Sequence, residues 1–165
     1  MTVKFIAIAA LGKNRQIGLD GKLPWSIPDE YEHFKNTIRG QYVLISRKNF
    51  ELHGLEVAGA IPFILSRKPY SYPNALVFHS MDRVIEHAQE TGIEKIYIIG
   101  GAEIYHLTLP YISEFLCSIV DYEGPADTYF PEYLFYEWEV LSQKIFHEWT
   151  LYHLQKGVTP FEVGP

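Results

Sequence analysis

The chain has almost no cysteine, no block of one charge and no long apolar run, and each absence removes a class of function. Its single cysteine, Cys117, excludes an intrachain disulfide and leaves a thiolate metal centre without ligands. The seven histidines are scattered, with neither an H-E-x-x-H nor a paired spacing, so no metal site is expected. No segment approaches the ~20 consecutive apolar residues of a membrane-spanning helix. With a net charge of −6 and no cluster of Lys and Arg, nothing provides a nucleic-acid footprint. A nucleophile elbow and a Ser-His-Asp order are also missing, which speaks against a hydrolase. The N-terminus, Met1-Thr2-Val3-Lys4-Phe5, enters an apolar strand without a leader-like pattern. The expectation is a cytoplasmic protein, monomeric, whose partner is a small molecule rather than a nucleic acid or a membrane.

What is present suits one core. At 165 residues, 47% hydrophobic and 15% aromatic, the chain fits a single domain, 1–165. Short apolar runs predict strands at Val3–Leu11, Tyr42–Ile45, Pro62–Leu65, Ala75–Phe78, Lys95–Ile99 and Phe115–Val120. Between them the pattern predicts helices at Pro28–Ile38, Arg47–His53, Met81–Thr91 and Ala102–Leu109. Ser80 and Asp82 are placed to cap the third, and Gly92 to end it. Glu137–Ile145 and Glu148–Gln155 read as two strands joined by a turn. The fold class is therefore α/β: a mostly parallel central sheet flanked by helices and ending in an antiparallel C-terminal hairpin. The Pro- and Gly-containing tail after Lys156 is expected to be loosely held.

Two stretches carry chemistry. In Asn14 to Phe34, Gly18 and Gly21 let the chain turn back across the end of the first strand by adopting positive φ. Such strand ends are where ligands bind in parallel sheets. Leu23-Pro24-Trp25 follows, and Pro28 suits the first position of a helix. Ile27, Tyr31, Phe34 and Ile38 form an apolar stripe at helical spacing. Glu30, three residues after Ile27 and four before Phe34, shares that stripe, and two places are open to it. It either complements the helix N-terminus from solvent or faces the core, where a carboxylate is costly unless hydrogen-bonded.

The second stretch is a set of strand ends. Ile99-Gly100-Gly101-Ala102 joins a strand to a helix, so the glycines serve either a tight turn or the close approach of a ligand. Ser46-Arg47-Lys48-Asn49 and Leu65-Ser66-Arg67 sit at two other strand ends. Their cations are either solvated charges or an anion site.

Ala10, Ile17-Gly18, Gly21-Lys22-Leu23-Pro24-Trp25, Pro28-Asp29-Glu30 and Phe34-Lys35, taken together, closely resemble the dihydrofolate reductases. Ile99-Gly100-Gly101 and Asp127-Thr128-Tyr129-Phe130-Pro131 extend the resemblance from about Val3 to Pro131. It implies hydride transfer from NADPH to the pterin of dihydrofolate, at C6, with protonation at N5. Glu30 would be the family's single acid, bound by Ser118 where the family has Thr, with Trp25 completing the catalytic set. The resemblance assigns substrate contacts to Ile8, Ala10, Glu30, Tyr31, Phe34, His53, Ile99 and Tyr105. For NADPH it assigns Ala10, Ile17, Gly18, Leu23, Arg47, Lys48, Asn49, Ser66, Arg67, Gly100, Gly101, Ala102, Glu103, Ile104 and Tyr105.

Three positions depart from the family. Ser46 stands where Gly is usual and Asn49 where Thr is usual. Ala60 stands where an Arg holds the glutamate carboxylate of folate, a contact alanine cannot make. Two alternatives to dihydrofolate reduction therefore stay open: reduction of a pterin or related heterocycle without the glutamate tail, and a non-catalytic relative that binds NADPH or pterin.

Overall fold

The computed structural model describes residues 2–57, 59–133 and 137–157. The tail beyond Gly157 lies outside the described residues. Among the described residues ten strands and four α-helices follow one another: β1 (Lys4–Leu11), β2 (Gln16–Gly18), α1 (Pro28–Ile38), β3 (Tyr42–Ser46), α2 (Arg47–His53), β4 (Ile61–Leu65), β5 (Leu76–Phe78), α3 (Met81–Thr91), β6 (Lys95–Ile98), α4 (Ala102–Thr108), β7 (Ile112–Val120), β8 (Thr128–Tyr129), β9 (Trp138–Ile145) and β10 (Trp149–Lys156). Eight strands form one sheet in the order β5-β4-β3-β6-β1-β7-β10-β9. From β5 to β7 neighbours pair in parallel. β10 then runs antiparallel to β7 and to β9, as the terminal hairpin predicts.

The sheet is buried on both faces, so its side chains divide by parity between two cores. Ala7, Ala9, Leu11, Leu44, Phe63, Ile96, Ile98, Phe115 and Cys117 enter one, under α3 and α4. Ile6, Ile8, Val43, Ile45, Ile64 and Tyr97 enter the other, under Ile38 of α1. The predicted helix signals hold at α3: the Ser80 hydroxyl accepts from the Arg83 amide at 3.2 Å, and Gly92 ends the helix at φ 73.

The structure corrects the sequence reading in three places. β7 begins at Ile112, three residues before the apolar run, because the polar Ser113 and Glu114 belong to the strand. α4 ends at Thr108, and Leu109 opens a 3-10 turn through Tyr111. Gly18 does not take positive φ. It lies in β2, paired with Thr128, where a Cβ would sit 3.2 Å from the threonine Cβ. Gly18 thus serves close strand approach, while Asp20 at φ 53 and Gly21 at φ 77 make the turn. The small β2–β8 sheet was not predicted.

Candidate active site

Parity places one acid over the sheet. Ala10 and Ser118 are direct partners across β1 and β7. They share the face on which Ile8, Leu116, Ile99 and Phe34 contribute to the second core. Glu30 lies four residues before Phe34 and eight before Ile38 on α1, so it turns toward the same face. It is 5% exposed, and the Ser118 hydroxyl donates to its Oε2 at 3.0 Å. Of the two places the spacing allows, the structure takes the inward one. Burial pushes the Glu30 carboxyl above its ordinary value, the Ser118 hydrogen bond opposes that, and the Asp29 charge adds to the rise. Asp29 itself faces away and accepts from the Trp149 indole at 2.9 Å.

The walls follow from the same elements. Tyr31 is half-buried and stacks near Phe34 with ring centroids 6.4 Å apart. Trp25, also half-buried, tilts against Tyr122 at 5.4 Å, and its indole Nε1 is buried without a hydrogen-bond partner among the described residues. Tyr105 projects from α4 on the other face, and its hydroxyl donates to the Ile8 carbonyl at 2.8 Å. Burial raises the Tyr105 pKa above the ordinary tyrosine value, so this phenol stays a neutral donor. Ile8 and Ile104 are both buried, with Ile104 in the first core. Position 104 can therefore offer a ligand only its backbone.

The loop between β1 and α1 is held at both ends. Leu19 and Lys22 exchange backbone hydrogen bonds at 2.8 and 3.1 Å. The Asp127 amide donates to the Gly18 carbonyl at 2.9 Å, and the Asp127 carboxylate accepts from the Asp20 amide at 3.0 Å. The Asp20 amide, then the Thr128 hydroxyl, hold the Asp127 carboxyl below its ordinary value. Leu23 stands 45% exposed at the far side of the loop, and Ile17 packs onto the first core.

The cationic strand ends come together. Ser46 and Leu65 are the last partners of β3 and β4, so Arg47 and the Ser66-Arg67 pair emerge side by side. Arg47 donates to Glu51 at 2.8 Å and lies 4.6 Å from the ring centre of Tyr70. Tyr72 also bonds Glu51, at 2.5 Å. Tyr70 and Tyr72 were not singled out in the sequence, since no spacing rule links residue 47 to a tyrosine on the next loop. The Ser46 hydroxyl accepts from the Asn49 amide at 3.1 Å, so the serine that replaces a glycine acts as the N-cap of α2. Gly100 has φ 109, and the Gly100–Gly101 peptide is cis. A Cβ at Gly101 would meet Asn49 Nδ2 at 2.9 Å, and one at Gly100 would meet the Tyr105 ring at 3.1 Å. Gly100 is required by its φ and by the buried Tyr105 ring, while Gly101 lies close against the Asn49 amide. Lys48, Arg67 and Glu103 are exposed, while Ala102 and His53 are half-buried.

Comparison with known proteins agrees with this geometry. The sequence profile of the dihydrofolate reductase family matches residues 4–155. A type 3 dihydrofolate reductase of Salmonella typhimurium is 34% identical over 137 residues, 82% of this chain and 83% of the relative. A dihydrofolate reductase of Staphylococcus haemolyticus is 30% identical over 141 residues, 85% and 84% of the two chains. The fold is shared with the Enterococcus faecalis dihydrofolate reductase solved in complex with NADP(H) and RAB-propyl: TM-score 0.80 at 22% identity, over 94% of this chain and 99% of that one. The fold is that of an α/β protein whose parallel sheet carries a buried acid held by a neutral hydroxyl over one face and cations at adjacent strand ends. The chain belongs to the dihydrofolate reductase family.

Proposed function

We propose that this chain, acting as one domain, reduces 7,8-dihydrofolate to tetrahydrofolate with NADPH. The observation that carries the reading is the Glu30–Ser118 pair: one buried carboxylate, held by one hydroxyl, on the face lined by Ala10, Phe34 and Ile99. Its two oxygens suit the adjacent N–H and amino groups of a pterin's pyrimidine edge, a forked, charge-assisted contact. Burial raises the carboxyl's pKa above its ordinary value, the direction that suits an acid assisting protonation. That proton reaches N5 through water, since Glu30 grips the far edge of the ring. The buried, unpartnered indole N–H of Trp25 is suited to hold such a water.

The residues present fit the cofactor. Arg47, Ser66 and Arg67 offer cations and a hydroxyl at the adjacent ends of β3 and β4 for phosphates. Arg47 and Arg67 favour NADPH over NADH because the extra phosphate needs a cation. When bound, NADPH supplies the hydride that adds to pterin C6. The chain's own part is to hold the pterin through Glu30, to wall it with Phe34 and Tyr31, and to exclude water with the loop from Gly18 to Trp25.

A second reading rests on Ala60: reduction of a pterin without the glutamate tail. The test of both is NADPH oxidation by the purified protein, comparing dihydrofolate with a tail-less dihydropterin. Faster turnover of dihydrofolate supports the first reading, and equal or better use of the tail-less pterin supports the second. Oxidation with neither, despite NADPH binding, would leave a non-catalytic relative. A cytoplasmic location and a monomeric state belong to this proposal, the former supported by a lone buried cysteine that suits a reducing compartment. No described helix is long and apolar enough to cross a membrane.

A further inference from the structure

The acid of the proposed reaction sits in the first turn of a helix that does not cap itself. α1 opens at Ile27, which makes no side-chain cap hydrogen bond, so that turn needs other tethers. Two neighbouring residues accept them from two strands. The Ser118 hydroxyl of β7 holds Glu30 at 3.0 Å. Trp149, the first residue of β10, holds Asp29: its indole Nε1 donates to Asp29 Oδ2 at 2.9 Å.

Trp149 is a rigid donor. It is 4% exposed, and its ring lies on Phe146 with centroids 4.1 Å apart. Its carbonyl accepts from the Phe146 amide at 2.8 Å. Trp149 pairs with Val120, and Leu151 with Ser118, so both donors share one face of the sheet. Successive residues of α1 point about 100° apart, and fastening two of them fixes how the helix is turned about its axis. No Lys or Arg among the described residues forms an ion pair with Asp29. Lys35, further along α1, is committed to Glu32 at 2.9 Å. His33, one turn after Asp29, packs 5.7 Å from the Trp149 ring, and burial lowers its pKa, so it brings no positive charge.

We infer that Asp29, clasped by the Trp149 indole, is a positioning residue for the reaction: it sets the rotation at which Glu30 meets Ser118 and the pterin, and it keeps an uncompensated negative charge beside that acid. This rests on the reductase reading above. Burial begins the rise in the Glu30 pKa and the Asp29 charge adds to it, so the acid holds its proton to higher pH than it would alone. An indole suits this role, because it holds a carboxylate in place without a positive charge to cancel it. The other titratable groups nearby do not compete. Tyr105 of α4 and Cys117 of β7 are kept neutral by burial. Asp121, next after Val120, is paired with Lys13 at 2.9 Å, and His147 and Glu148, just before Trp149, are exposed.

The experiment follows kcat for dihydrofolate against pH, with thermal unfolding alongside, in wild type, Asp29→Asn, Trp149→Phe and Trp138→Phe. Asp29→Asn keeps an oxygen for the indole and removes the charge. The fall of kcat with rising pH should therefore move to lower pH, with Tm retained. Trp149→Phe removes the donor and should lower kcat about fivefold, the worth of one lost hydrogen bond. Its profile should move the same way but less far, since the carboxylate keeps its charge and loses its place. Trp138→Phe removes an indole hydrogen bond away from α1, the one to the Tyr133 carbonyl at 2.7 Å, and should leave the profile where it is. An unmoved profile in Asp29→Asn, or a Trp149→Phe profile no different from that of Trp138→Phe, overturns the inference. If wild type turns over no dihydrofolate, the reductase reading falls instead. The carboxyl carbon-13 signal of Glu30, recognised by its loss in Glu30→Gln, then decides Asp29. Titration at lower pH in Asp29→Asn supports the inference, and titration at the wild-type pH overturns it.

Discussion

Two carboxylates on this sheet are almost equally hidden and behave in opposite ways. Glu30 is 5% exposed and Glu114 is 8% exposed. Glu114 sits near the start of β7, where Lys4 and His153 both reach it at 2.6 Å. Burial pushes its carboxyl up, but the hydrogen bonds and charges of those two partners together outweigh burial and leave it below the ordinary value. Glu30 has one neutral hydroxyl and no cation, and burial wins. Burial alone therefore does not tell a structural acid from a reactive one; the number of cations that answer it does. Glu114 is neutralised in place. Glu30 is left short of partners, which suits a group that must bind something else.

Breaking each acid in turn should separate the two roles. The largest effect is expected from Glu30→Gln, which keeps the shape but not the proton. Its kcat with dihydrofolate should fall by about 10²–10⁴-fold, the usual worth of a positioned acid, with little change in thermal unfolding. Wild-type turnover in this variant would remove Glu30 from the mechanism. Glu114→Gln should do the reverse, leaving kcat alone and lowering stability by about 1–2 kcal/mol. That is less than for a fully buried pair because Lys4 is half exposed. In a chain of this length it corresponds to about 2–4 °C per kcal/mol in Tm. A loss of activity with no loss of stability would reverse the assignment.

The sequence carried part of this contrast. Pro28 marked the start of α1 and the periodicity its apolar face, so the helix was legible to the residue. Whether Glu30 pointed inward was not, because a glutamate in a first turn that shares the apolar stripe can also tip outward to complement the helix N-terminus; the resemblance to known reductases tipped it. Glu114 escaped notice because a reading based on apolar runs starts β7 at Phe115. The Lys4–Glu114–His153 cluster joins three strands, and nothing local announces it. β2 and β8 span three and two residues, too short for a period to register. The stacking of Arg47 on Tyr70 joins the first turn of α2 to the loop after β4 and depends on register between β3 and β4. Motifs on single elements were thus readable, whereas groups assembled across the sheet required the structure.

Stability against pH sharpens the comparison next. For Glu30 the folded pKa is raised above the ordinary 4.5, so the native state holds a proton that the unfolded chain releases. Its contribution is present below that ordinary value and is lost as pH rises through the folded pKa. For Glu114 the folded pKa is lowered from 4.5, so its contribution is present above that value and is lost as pH falls through the folded pKa. Urea unfolding from acid to neutral pH should therefore show Glu30→Gln gaining on wild type as pH rises. Glu114→Gln should lose least, relative to wild type, at the acid end. Parallel curves for both variants would show that the two carboxyls titrate alike.

The smallest effect is expected at the single hydroxyl that distinguishes Glu30 from a wholly unsatisfied acid. Ser118→Ala removes the one hydrogen bond that favours the charged carboxylate, so the Glu30 pKa should rise further. The fall of kcat with rising pH should then move to higher pH, at a stability cost of about 1 kcal/mol for a lost buried hydrogen bond. Ser118→Thr keeps the hydroxyl and should restore the wild-type profile. If Ser118→Ala instead moved the profile to lower pH, the hydroxyl would be favouring the protonated acid rather than the carboxylate. The two carboxyls would then differ only in cations, because the one neutral donor at Glu30 would no longer oppose its burial.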